Sequence, residues 1–82
     1  MYVYIGETVV VKHMEILTIL DFREVFGDTN RDEWLNHPRT YKLVESNRVK
    51  SLVVTPLLTY ASPYSPQNLI KKINETSREN RF

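Results

Sequence analysis

A chain of 82 residues with no cysteine has to hold itself together by burying side chains. Disulfides and thiolate metal sites are both excluded. Only two histidines are present, His13 and His37, and their separation fits no metal-ligand spacing. A domain this short buries a smaller share of its surface than a larger one does. Small domains without disulfide or metal staples often gain stability by self-association. One domain and an assembly of copies are therefore expected, in a reducing compartment.

The apolar residues fall in short runs. Tyr2–Ile5 and Thr8–Lys12 read as strands joined at Gly6-Glu7, where glycine supplies backbone freedom for a hairpin. Residues 14–22 satisfy both a helical and a strand pattern. Their isoleucines and threonine favour a strand, buried because it is almost continuously apolar. Residues 23–38 are polar, with Val25, Phe26, Trp34 and Leu35 as anchors. Asp28 or Thr29 can cap a helix there, with Trp34 and Leu35 facing the core. Pro38 ends it.

Residues 39–45 read as a strand, 46–48 as a turn, and 49–55 as a clearer strand. Pro56 lacks the amide a ladder needs and belongs in a connection. Residues 57–61 complete a hairpin with 49–55. Ser65-Pro66 starts a helix, with serine as cap and proline at the first helical position. Leu69, Ile70 and Ile73 form its apolar face. Beyond residue 73 the apolar period is lost, and 74–82 is expected to fray. The expected class is α+β: a small mixed or antiparallel sheet of about five to six short strands, one central helical segment and a C-terminal helix.

Nothing in the sequence arranges a nucleophile beside a base. Gly6 and Gly27 are the only glycines, so no phosphate-cradling glycine loop exists. A non-enzyme without cofactor or metal is expected. No secretory pattern and no membrane-length apolar run is present, which points to the cytoplasm.

Net charge is +1, but residues 1–33 hold seven acids and three bases, whereas 34–82 hold three acids and eight bases. Arg39, Lys42, Arg48 and Lys50 cluster in the basic half, on two strands expected to be neighbours. Such a patch either forms a solvated sheet edge or contacts phosphates, which positions a protein on DNA without reading bases. Tyr2, Tyr4, Val9, Val11, Leu57 and Tyr60 can fill the core or meet another copy. The size of the chain favours the second, and tyrosine is enriched at interfaces.

The blocks Tyr4–Val11, Glu15–Asp21, Lys50–Thr55 and Tyr60–Leu69, in that order, resemble the RemA/RemB family of extracellular matrix regulatory proteins of Gram-positive bacteria, and the RemB type more closely. The likeness spans residues 1–73. It implies a small cytoplasmic DNA-binding regulator of biofilm-matrix genes. RemA-type members form rings whose basic residues contact DNA. Their arginine-rich run before the last long strand corresponds here to Asn47-Arg48-Val49-Lys50, so Arg48 and Lys50 match in charge and Asn47 does not. Glu15 reverses a second basic position. The resemblance implies a homo-oligomer with Arg48 and Lys50 as main DNA contacts, supported by Arg39 and Lys42. The near-neutral charge and Glu15 favour the alternative, a protein-interaction or scaffold subunit that binds no nucleic acid.

Overall fold

A computed structural model describes residues 2–27 and 31–79. The first two strands, β1 (Tyr2–Tyr4) and β2 (Val10–Lys12), pair antiparallel. They alternate in burial: Val3 and Val11 point inward, while Tyr2, Tyr4, Val10 and Lys12 point out. The connection is longer than a two-residue turn, because the ladder closes with the Ile5 amide on the Val9 carbonyl. Gly6 has no left-handed backbone. Its role is close approach, since a Cβ there would lie 3.1 Å from Leu43 Cδ1.

The segment 14–22 is not one buried strand. A 3₁₀ turn occupies His13–Glu15, and β3 covers only Thr18–Asp21. Asp21 then caps α1 (Phe22–Phe26), its Oδ1 accepting from the Glu24 amide at 3.1 Å. Gly27 ends α1 at φ +55°, where a side chain would be strained. A second short helix, α2, spans Arg31–Leu35. The central helical segment is thus two helices, and the capping role expected of Asp28 or Thr29 lies outside the described residues. Leu35 is buried, but Trp34 stays 45% exposed, its ring 5.1 Å from Phe26 and 6.0 Å from His37.

Three further strands follow: β4 (Thr40–Lys42), β5 (Ser51–Val54) and β6 (Thr59–Ser62). The sheet they form with β3 has the order β3-β5-β6-β4. β5 and β6 make the expected antiparallel hairpin, with the Thr55 amide donating to the Leu58 carbonyl at 2.9 Å across Pro56-Leu57. β4 does not neighbour β5. It pairs parallel to β6, on the far side of that hairpin. The Ser46–Arg48 segment is a 3₁₀ turn that carries the chain from one strand position to the other. The β-structure is therefore two sheets, one of two strands and one of four. β3 is half-buried, not buried, because it is an edge.

The last helix, α3 (Pro66–Glu79), begins as predicted, the Ser65 hydroxyl accepting from the Asn68 amide at 3.2 Å. Leu69 is buried, Ile73 is half-buried and Ile70 remains exposed. The helix continues past residue 73, where the loss of apolar period predicts fraying. A turn already formed propagates without further packing, adding one hydrogen bond per residue fixed. Residues 80–82 lie outside the described part.

The four-stranded sheet is covered on both faces. Leu20, Leu52 and Ala61 meet Phe22, Phe26 and Leu35 on one. Ile19, Val53 and Tyr60 meet Ile5, Val11 and Leu69 on the other. Ser62 joins the hairpin to this sheet: its buried hydroxyl donates to the Ile5 carbonyl and accepts from the Tyr64 amide. Ser62→Ala leaves both groups unpaired and is expected to lower stability by about 1–3 kcal/mol, read from urea unfolding.

Candidate nucleic-acid interface

The two ends of the four-stranded sheet differ in chemistry, and β6 measures the distance between them. At its start the Thr59 amide donates to the Arg39 carbonyl. At its end the Ser62 carbonyl accepts from the Lys50 amide. Four residues of strand, about 10 Å or more, separate Arg39 from Lys50. The four expected bases therefore do not form one patch. Lys42 lies on the outer strand toward the Lys50 end, and Arg39 lies at the other. The cause is the placement of β4: a β4–β5 hairpin would have brought all four together.

Arg48 and Lys50 do share an end. Lys50 lines a polar cleft of about 340 Å³ with Arg23, Asn47, Asp21, Val49 and the Ser65–Gln67 start of α3. Arg23 is the functional candidate that sequence reading missed. Asp21 as a helix cap was the available signal, because a helix starting at Phe22 carries Arg23 to the Lys50 side. That placement is fixed by the Phe22 amide donating to the Lys50 carbonyl at 3.1 Å. Arg48 ends its 3₁₀ turn and opens on an adjoining recess of about 470 Å³, shared with the Gly6–Val9 loop and Tyr64. Asn47, the uncharged member of the Asn47–Lys50 run, lines the cleft with Lys50.

Arg23, Arg48 and Lys50 are all exposed. Among the described residues none of the three is held in an ion pair. Their acidic neighbours include Asp21 and Glu24 beside Arg23, and Glu7 and Glu45 on the recess that Arg48 lines; Asp21 is engaged by the Glu24 amide. Glu15 is elsewhere. It lines a smaller apolar recess with Thr55, Pro56, Leu57, Leu58 and Tyr60, at the Arg39 end. The charge reversal at position 15 is thus remote from Arg48 and Lys50.

The residues expected at an oligomer interface divide by exposure. Tyr2, Tyr4 and Leu57 are 60%, 58% and 82% exposed. Val9 and Tyr60 are half-buried against the inner cluster. Val11 is buried there, on the inward side of β2, and offers no exposed side-chain surface. Of the two histidines, His37 is tied into its loop, its Nδ1 accepting from the Arg39 amide at 3.1 Å. Among the described residues no group of three metal-ligating side chains forms, and no helix is long and apolar enough to cross a membrane. No family model, curated protein or solved structure matches this chain.

Proposed function

We propose that this chain is a non-enzymatic, homo-oligomeric DNA-binding regulator of the RemA/RemB type, acting in the bacterial cytoplasm on biofilm-matrix genes. The observation that carries this reading is the grouping of Arg23, Arg48 and Lys50 at one end of the sheet, exposed and, among the described residues, outside any ion pair. Three cations per copy bind weakly alone. An assembly multiplies them, because contacts linked on one scaffold act at high effective concentration. The start of α3 lines the same cleft and turns the positive end of its helix dipole toward it, which suits phosphate oxygen; the contribution is the dipole, since Pro66 carries no N–H and the Asn68 and Leu69 amides are taken by Ser65. Lys42 borders this surface; Arg39 falls outside it.

Light scattering of the purified protein with and without a DNA duplex, at low and near-physiological salt, tests the proposal. The expected result is a large assembly that takes up DNA steeply less well as salt rises. An assembly indifferent to DNA at both salts overturns the nucleic-acid reading. It would favour a protein-interaction or scaffold subunit instead, for which the outward row of Tyr2, Tyr4 and Val10 on the hairpin is the supporting observation.

A further inference from the structure

We infer that copies of this chain join by sheet extension, the outer edge of β3 in one copy pairing in parallel with the outer edge of β4 in the next. This rests on the homo-oligomer reading above and names its surface. β3 and β4 are the two terminal strands of the four-stranded sheet. Their unpaired groups follow from the registers. The Phe22–Lys50 bond makes Leu20–Leu52 and Thr18–Val54 the hydrogen-bonded pairs of an antiparallel ladder, so Ile19 turns N–H and C=O outward and Asp21 its N–H, the Asp21 carbonyl serving α1 as its cap residue. On β4, the Thr59–Arg39 and Leu43–Ala61 bonds commit residues 39, 41 and 43 to β6. Thr40 and Lys42 then face out. The Thr40 amide is already taken by the His37 carbonyl at 2.9 Å.

The two sets of free groups match. β3 antiparallel to β5, β5 antiparallel to β6 and β6 parallel to β4 leave β3 and β4 running in the same direction. Set side by side between copies, the Ile19 amide meets the Thr40 carbonyl, the Lys42 amide meets the Ile19 carbonyl, and the Asp21 amide meets the Lys42 carbonyl. The one amide this pattern does not use is that of Thr40, which the chain has satisfied internally. The same register sets Ile19 beside Tyr41 and Leu20 beside Lys42. It continues the side-chain rows already present across the sheet, and it covers Tyr41, which is 56% exposed in the protomer.

Charge complements the geometry. Glu15, Asp21 and Glu24 flank or lie on β3 with one cation, Arg23, among them, which leaves that edge net acidic, whereas Arg39 and Lys42 flank or lie on β4. This places the opposite charges of the two halves of the chain at opposite edges, so unlike edges attract and like edges repel. Such a contact is head-to-tail. It closes into a ring if the rotation per copy closes, and otherwise runs on as a filament. Lone edge strands are blunted in many proteins by an exposed lysine. Here Lys42 has an acidic edge to meet.

Residue-level amide hydrogen exchange on the unaltered protein tests this, beside the assembly state of Lys42→Pro and Lys42→Ala. Neither variant touches a bond within the protomer sheet, because residues 41 and 43 carry them. Expected are Ile19, Asp21 and Lys42 amides exchanging at least about tenfold more slowly in the assembly than at dilutions where it dissociates. Lys42→Pro, folded by circular dichroism, should associate at least about tenfold more weakly, and Lys42→Ala should keep the pairing, because alanine keeps the amide. If Lys42→Pro does not fold, the exchange rates decide. An assembly whose three amides exchange unprotected overturns this interface and leaves the homo-oligomer reading standing. A protein monomeric at every concentration overturns both.

Discussion

Phe22→Ala is expected to leave the chain largely unfolded at ambient temperature. Phe22 has no solvent exposure and begins α1 where β3 ends. Its ring lies 5.2 Å from Phe26 and joins the cluster of Leu35, Val49, Leu52 and Ala61. Truncating a buried phenylalanine costs about 3–5 kcal/mol, from the transfer energy of the missing ring and the cavity left behind. A small domain has a total stability of about 5–15 kcal/mol, and one of this size belongs at the lower end. The loss therefore rivals the whole stability of the folded chain. A shift of α1 into the cavity cannot recover it, because Asp21 pins that helix at its start and Gly27 ends it one turn later. Thermal denaturation followed by circular dichroism should show no cooperative transition, or a transition lowered by tens of degrees at the roughly 4–8 °C per kcal/mol typical of small domains. A melting temperature within a few degrees of wild type would show that the face covered by α1 and α2 contributes little to the fold.

How far the sequence can be read follows from where its signals are local. The Ser65-Pro66 start of α3, the β5–β6 hairpin around Pro56 and the strands either side of Gly6 depend on neighbours a few residues away, and those emerge from spacing alone. The α+β class follows from them. What spacing does not reveal is non-local. Nothing near residues 40–42 specifies that β4 should skip β5 and pair in parallel with β6, yet that choice decides which bases share a surface. The pattern in 14–22 is ambiguous for a physical reason: an edge strand half covered on both faces looks continuously apolar, as a buried strand does. Asp21 is legible as a cap in principle, but the apolar run through Phe22 masks it, and Arg23 is hidden with it. Arg48 and Lys50 come out together because a single 3₁₀ turn and the first step into β5 hold them, and both are local.

That division supplies the sharpest test of the DNA-binding proposal, because sequence and structure nominate different third residues. Reading along the chain selects Arg39 and Lys42 to support Arg48 and Lys50; the folded sheet selects Arg23. Two variants separate them. Arg23→Ala with Arg48→Ala and Lys50→Ala removes three exposed cations at one end, and Arg39→Ala removes an exposed cation at the other. Each phosphate that a protein neutralises on duplex DNA adds about 0.9 to the steepness of log affinity against log salt. The triple variant should therefore show a slope shallower by about 2.7 for every copy engaged, and its affinity at low salt should fall by well over about a hundredfold. Arg39→Ala should change neither by more than about twofold, since it lies a strand's length from the surface. Fluorescence anisotropy across a salt series measures both quantities on one set of proteins, with light scattering confirming that the assemblies are unchanged. Equal losses in the two variants would mean that DNA wraps the whole sheet edge. A loss confined to Arg39→Ala would move the interface to the Glu15 end, where the charge reversal at that position would lie against the phosphates and binding should be weak from the start.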